Sequence, residues 1–481
     1  MRHLTPLVVL VLAASCSPAG QGASPLVPAA ASSTSSDVRL RSGETSTFVP
    51  TGPQSFTPEA RFKMRDRAVR QLWSSSIGRT DHRTTMLVRD GAVWIGTKRG
   101  PSGPAGVHVI DGRSGARRAL LPAAAGDVVG IAMEGDRVYS SSAGPSGAGS
   151  GSGSASGSGE VAATTKGGAI VFRTAIGAAV MTPPTLVDAD GDGTLEVAVG
   201  DATGKVTLLD GRTGKVRWSR VLGSATDGRR EIGGGLAAAD LDHDGKPEIV
   251  AGTDGGRLYA LRAATGETAW QTSRASSLRA PPLVADVDAD GHLEVVAGWA
   301  DGDIAIFDGR NGKELWSALM EEDDGDSTGL LATPTPIPGG SMLVPTSRWG
   351  KEDAVVVLRA NERAYRSRQG SVVASPVLGT LAQGATMTEA VVGTMQGDVV
   401  AFDAAGGISF LYRLDAPIEA PALIADIERN GLQELVVATR DGRLVALATH
   451  APLPPLAGVA RGASGHNDGV FPAIDLGWRL P

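Results

Sequence analysis

The stretch 187–200, VDADGDGTLEVAVG, packs Asp188, Asp190 and Asp192 into five positions and turns apolar after Glu196. Carboxylates held this close repel one another, so the crowding needs a physical reason. The stretch also recurs. DLDHDGKPEIVAG begins at Asp240 and DVDADGHLEVVAG at Asp286, and a weaker copy, DIERNGLQELVVA, begins at Asp426. The first three copies are spaced by 52 and 46 residues, and the gap before the fourth leaves room for further units of about that length.

A second motif follows each acidic loop. GKVTLLDGRTGKVRW ends at Trp218, GRLYALRAATGETAW at Trp270 and GDIAIFDGRNGKELW at Trp316. Two alternating apolar runs around a glycine-containing turn read as a β-hairpin. Copies without the acidic loop reach Ala119 (GVHVIDGRSGARRA), Phe172 (GEVAATTKGGAIVF), Tyr365 (AVVVLRANERAY) and Phe410 (GDVVAFDAAGGISF). With the apolar run that precedes each acidic loop (PPTLV, PPLVA, APALIA), every unit holds four short strands, the pattern of a propeller blade. A blade cannot cover itself, so blades close into a ring that buries their faces on neighbours.

The last unit supplies only three strands, whereas RQLWSSSIG near residue 70 matches a fourth strand with no unit of its own. Residues 69–74 are therefore expected to complete the last blade and lock the ring. The fold class is all-β, a β-propeller of eight four-stranded blades; seven is the alternative if a degenerate unit near the N-terminus is misread. Fourth strands are expected at 73, 119, 172, 218, 270, 316, 365 and about 411.

The loop spacing is D-x-D-x-D-G-x-x-E. Alternate carboxylates aim at one centre, the glycine permits the sharp turn, and the acid at the ninth position closes an oxygen cage with a carbonyl from the seventh. Hard oxygen donors suit Ca²⁺, and no cysteine or histidine pair points to zinc. The expected ligands are Asp188, Asp190, Asp192 and Glu196; Asp240, Asp242, Asp244 and Glu248; and Asp286, Asp288, Asp290 and Glu294. In the fourth loop Glu428 and Asn430 replace aspartates, leaving Asp426, Asn430 and Glu434 as a degenerate set. His243 and His292 sit at variable loop positions and read as solvent-facing. The expected role of the ion is structural, standing in for an apolar plug in each hairpin.

These acidic loops and their EVAVG-type strands resemble FG-GAP (VCBS-like) repeats, and the hairpins resemble quinoprotein-like propeller blades, over about residues 68–448. The resemblance implies the propeller and the calcium. It implies little about activity, since such rings serve as adhesins, scaffolds and enzymes.

The ends of the chain have another character. Arg2 precedes an apolar run from Leu4 to Ala14, too short to span a bilayer, which ends in AASC. This resembles a bacterial lipobox, with Ala13 where leucine is usual, and marks 1–15 as a signal peptide and Cys16 as the lipidated first mature residue. Cys16 is the only cysteine, so no disulfide is possible within the chain. Residues 16–61 form a tether rich in Ser, Pro and Ala, and 62–450 form the propeller. A Gly/Ser insertion at 142–159 reads as disordered, and 451–481 is a tail.

Net charge is −7 with no basic tract, which argues against nucleic acid as a partner. GDSTG at 325–329 satisfies G-x-S-x-G around Ser327 but lies in an acidic loop rather than between a strand and a helix. His466 lies in the tail and reads as a surface turn. The expected function is an exported calcium-binding scaffold or adhesin, lipid-anchored to a bacterial cell envelope, whose partner is a protein in preference to a glycan, since aromatic residues make up only 4% of the chain. A carbohydrate-active or quinoprotein-type enzyme is the alternative.

Overall fold

The structure, a computed structural model, describes residues 38–40, 70–144, 158–223, 229–320, 329–337, 340–346, 355–359, 364–367, 371–379, 381, 388–404 and 407–452. Among the described residues every regular element is a strand. The expected signal segment, Cys16, most of the expected tether, residues 145–157 of the Gly/Ser insertion, Ser327 and the C-terminal residues with His466 lie outside them.

Eight four-stranded antiparallel sheets follow one another along the chain. Blade I runs from Met86–Arg89 to Arg117–Leu121, blade II from Val128–Glu134 to Ile170–Ala175 and blade III from Thr185–Val187 to Val216–Val221. Blade IV runs from Leu236–Ala239 to Thr268–Ser273 and blade V from Leu283–Ala285 to Glu314–Met320. Blade VI spans Thr335–Ile337 to Ala364–Ser367, and blade VII spans Val377–Gly379 to Ile408–Arg413. Blade VIII takes Leu423–Ala425, Leu432–Ala438 and Arg443–Pro452 from the C-terminal side and Arg70–Ser76 from the N-terminal side. All eight expected fourth-strand positions fall in outer strands. Val38–Leu40 adds a fifth strand to blade V, pairing antiparallel with Glu314–Met320.

The ring closes because second strands are apolar on both faces. In Glu196–Gly200, Val197 packs with blade II through Ala132, Tyr139 and Val161, while the next residue, Ala198, packs with blade IV through Leu236 and Ile249. Period-two alternation thus serves two interfaces at once, and a strand buried on both faces reads as a continuous apolar run. Eight apolar clusters fill the eight seams between consecutive blades. The seam between blades VIII and I joins Leu423, Val436 and Trp73 to Met86, Val93 and Ile110, so no open end remains.

The tryptophan and the glycine of the hairpin motif belong to different seams. Trp270 of blade IV donates its indole N–H to the Gly309 carbonyl of blade V at 2.7 Å, and Trp218 of blade III donates to Ala263 of blade IV at 2.8 Å. Trp73 of blade VIII donates to Gly112 of blade I at 2.7 Å. Each ring lies flat on the turn glycine of the next blade. A Cβ on Gly312 would meet the Trp270 ring at 2.6 Å, and Gly312 has φ of 71°, which only glycine adopts freely.

Candidate metal loops

In blades III, IV and V the first and second strands are joined by 188–195, 240–247 and 286–293. In all four acidic loops the second residue turns inward: Ala189, Leu241, Val287 and Ile427 are buried in the core. That inward plug leaves the odd positions to face outward together.

The polar contacts repeat from loop to loop. The first aspartate accepts backbone N–H groups from the turn: Asp188 from Gly191 (2.9 Å) and Gly193 (3.0 Å), Asp240 from Asp244 (3.1 Å) and Gly245 (2.9 Å). Asp286 and Asp426 do the same with Asp290 and Gly291, and with Asn430 and Gly431. The ninth residue, a glutamate opening the second strand in blades III–V, accepts the N–H of the second. Glu196 takes it from Ala189 at 2.9 Å, Glu248 from Leu241 at 3.1 Å and Glu294 from Val287 at 2.9 Å. Glu434 takes the N–H of Ile427 at 2.9 Å. Backbone amides thus satisfy one oxygen of each buried glutamate, and Glu196 and Glu248 also join the carboxylate clusters of their loops.

The fourth position is left-handed in every loop. Gly191 fits it freely, but His243, Ala289 and Arg429 adopt φ of 59°, 60° and 59° at a cost of roughly 1–2 kcal/mol each. The loop holds a strained shape that points its carboxylates to one side.

Asp188, Asp190 and Glu196 each offer an oxygen within 4.8 Å of the others, as do Asp240, Asp242 and Glu248, and Asp286, Asp288 and Asp290. The remaining expected ligands lie otherwise. Asp192 and Asp244 turn to the amides of Thr194 (2.6 Å) and Lys246 (2.8 Å), and Glu294 stands outside the trio of its own loop. In the fourth loop Asn430 caps Leu432 at 2.8 Å and binds Glu428 at 3.1 Å, and no acidic trio forms there.

Burial makes ionisation of these glutamates costly. It pushes the Glu248 carboxyl up to about 7, Glu294 up to about 8 and Glu434 up to about 7, with neighbouring loop carboxylates adding to the effect. Glu196 is raised for the same first reason. Glu248 is 2% exposed, and its Oε1 has no hydrogen-bond partner. A buried carboxylate oxygen without a partner is unfavourable by several kcal/mol. The donor set is all oxygen, and a hard cation fits it.

Two further residues, outside the expected ligand sets, make contacts around these loops or their counterparts. His243 reaches across the seam: its Nε2 lies 3.2 Å from the Gly291 carbonyl, and its ring is 5.8 Å from that of His292. Glu389 of blade VII, 3% exposed, accepts the Leu381 N–H at 2.7 Å, as its counterparts do in the acidic loops. The likeness of EAVVG to EVAVG was the available signal for Glu389. At the opposite end of the ring, Arg83 spans non-adjacent blades, donating to Gly233 at 3.0 Å and pairing with Glu231 at 3.4 Å.

Residues 188–251 match the family model described as FG-GAP-like repeat, and 238–391 match that of the outer membrane protein assembly factor BamB. No curated protein matches the chain. Among solved structures, Sqt1 of Saccharomyces cerevisiae is 13% identical with a TM-score of 0.54, covering 79% of this chain and 99% of its own. The quinohemoprotein alcohol dehydrogenase of Comamonas testosteroni is 13% identical, also at 0.54, covering 80% and 77%. A europium-containing methanol dehydrogenase is 12% identical at 0.54, covering 79% and 93%. At such identities the likeness is one of fold.

Proposed function

We propose that this chain is a calcium-binding propeller scaffold, anchored to a bacterial cell envelope through lipid on Cys16, that presents its rigid ring to a protein partner. The observation that carries the calcium reading is the orphaned Oε1 of Glu248, buried inside an oxygen-only cluster with Asp240 and Asp242. Calcium in the loops of blades III, IV and V would be held by Asp188, Asp190 and Glu196, by Asp240, Asp242 and Glu248, and by Asp286, Asp288 and Asp290. Asp192, Asp244 and Glu294 stand beside these sets, and Asp426, Asn430 and Glu434 make a poorer one. The ion would supply charge: it would neutralise crowded carboxylates and, in blades III and IV, staple the loop to the second strand through Glu196 and Glu248. The envelope reading is supported by the apolar N-terminal run ending at Cys16 and by the match to the assembly-factor family model. That match also favours a protein over a glycan as partner, as does an aromatic content of only 4%.

Elemental analysis after dialysis and a thermal melt with and without chelator test the calcium reading. Saturation a hundredfold above Kd contributes about 2.7 kcal/mol per site, or roughly 3 °C in a ring of this size. An unchanged melt with no bound calcium refutes it. The anchor is tested by Cys16→Ser, which is expected to move the protein from the membrane fraction to the soluble one. Affinity capture from native envelopes, with and without chelator, tests for the partner.

A further inference from the structure

We propose that blade III carries its own counter-ion, the Arg217 guanidinium, in the space that calcium takes in blades IV and V, so that the three loops differ in calcium affinity. The inference rests on the calcium reading above and sets the loop of blade III apart from the other two.

The outer edge of blade III is bulged. In the outer strand of blade III, Val216 pairs with Leu209 and Trp218 with Leu208, so Arg217 opposes no residue. A bulge of this kind re-aims the extra side chain. Here it aims at the acidic loop: Arg217 Nη2 lies 2.7 Å from Asp190 Oδ2, and Nη1 lies 3.1 Å from Glu196 Oε1, an ion pair without hydrogen-bond alignment. Asp190 and Glu196 are two of the three members of the blade III cluster. The guanidinium therefore neutralises two of the three carboxylates that would hold a cation there.

The bulge recurs with other residues. In blade IV Thr268 pairs with Leu261 and Trp270 with Ala260, leaving Ala269 as the bulged residue. In blade V Leu315 takes that place, between Glu314 and Trp316. Neither carries charge. The arginine beside the blade IV loop, Arg262, comes within 4.0 Å of Asp244 only, outside the cluster of Asp240, Asp242 and Glu248. In blade V, Arg310 is held bidentate by Asp308 at 2.9 and 2.8 Å. Blade I gives independent support for the aim of the bulge. Its bulged residue is Arg118, which donates to the carbonyls of Asp90 and Gly91 in the turn between its first and second strands. A long cation at this position reaches the first connection of its own blade whether or not that connection is acidic.

Calcium titration of the metal-stripped full chain by calorimetry, with melts in chelator and in excess calcium, tests the proposal. The expected wild-type result is two tight sites and a third weaker by roughly tenfold, the scale of the two ion pairs that Arg217 must give up. Arg217→Ala should tighten the weak site toward the others. The same variant should melt lower than wild type in chelator, where Glu196 loses its partner, and recover in calcium. The reverse graft, Ala269→Arg in blade IV, should weaken one tight site and covers the case in which Arg217→Ala misfolds. Three equal sites in the wild type overturn the proposal while leaving the calcium reading intact, as does an Arg217→Ala or Ala269→Arg titration identical to wild type. Absence of any calcium binding overturns both.

Discussion

Blades I and III solve the same hairpin in different ways. Blade I joins its first two strands through Asp90 and Gly91, both left-handed, the two-residue turn that matches strand twist. Blade II also does it in two residues, Gly135 and Asp136. Blade III spends 188–195 on the same connection, at the expense of crowded like charges. Both hairpins feed equally buried second strands, Ala92–Thr97 and Glu196–Gly200. The long loop is therefore unnecessary for closing the hairpin, and its retention in near-identical form in blades III, IV and V points to something that it holds.

The largest test of this contrast is pH in the presence of chelator. Glu248, Glu294 and Glu434 keep their protons in the fold up to about 7, 8 and 7, against an ordinary value of 4.5. Between those values the folded state binds more protons than the unfolded one. Stability is then fully present below about 4.5 and is lost as pH rises through 8, by several kcal/mol in all. Saturating calcium should remove the share of this loss that belongs to Glu248, the one of the three within a carboxylate cluster, because a bound carboxylate is ionised. Chemical denaturation across pH, with and without calcium, reads the effect; a flat chelated profile breaks the contrast.

The second test concerns what the two kinds of blade share. Gly312→Ala places a methyl group 2.6 Å from the Trp270 ring, and Gly115→Ala places one 2.7 Å from the Trp73 ring. Each should cost about 3 kcal/mol by melt or urea titration, from overpacking together with a left-handed alanine. The cost should be the same with or without calcium, since this rivet is independent of the loops.

A smaller effect is expected at Gln433, where blade VIII departs from its relatives. It is fully buried with neither amide atom partnered, in the eighth loop position held by Leu195 and Leu293 elsewhere. Gln433→Leu should raise stability by about 1–2 kcal/mol. The smallest effect is Ala289→Gly, which relieves a φ of 60° and should gain roughly 1 kcal/mol without loss of calcium affinity. A loss of stability at Ala289→Gly would mean that the loop carries no strain.

The ring was legible because its repeats are written in period-two apolar runs, turn glycines and recurrent tryptophans, and the displaced strand near Trp73 announced the closure. The carboxylates of the loops were legible from spacing alone. Their inequality was not. Arg217 lies two strands beyond the loop that it neutralises, and only the bulge between Val216 and Trp218 brings it there. The link between Trp270 and Gly312 was equally hidden, because two motif residues of one unit serve two different neighbours.

The closing strand also determines where mechanical load enters the molecule. A pull arriving from the N-terminal side meets first the three-residue pairing of Val38–Leu40 on blade V, then the seven residues of Arg70–Ser76 zipped to Arg443–Pro452. The short pairing can let go while the ring stays shut. Only a force that strips Arg70–Ser76 from its neighbour would open the circle, so the weakest link and the vital one are separate.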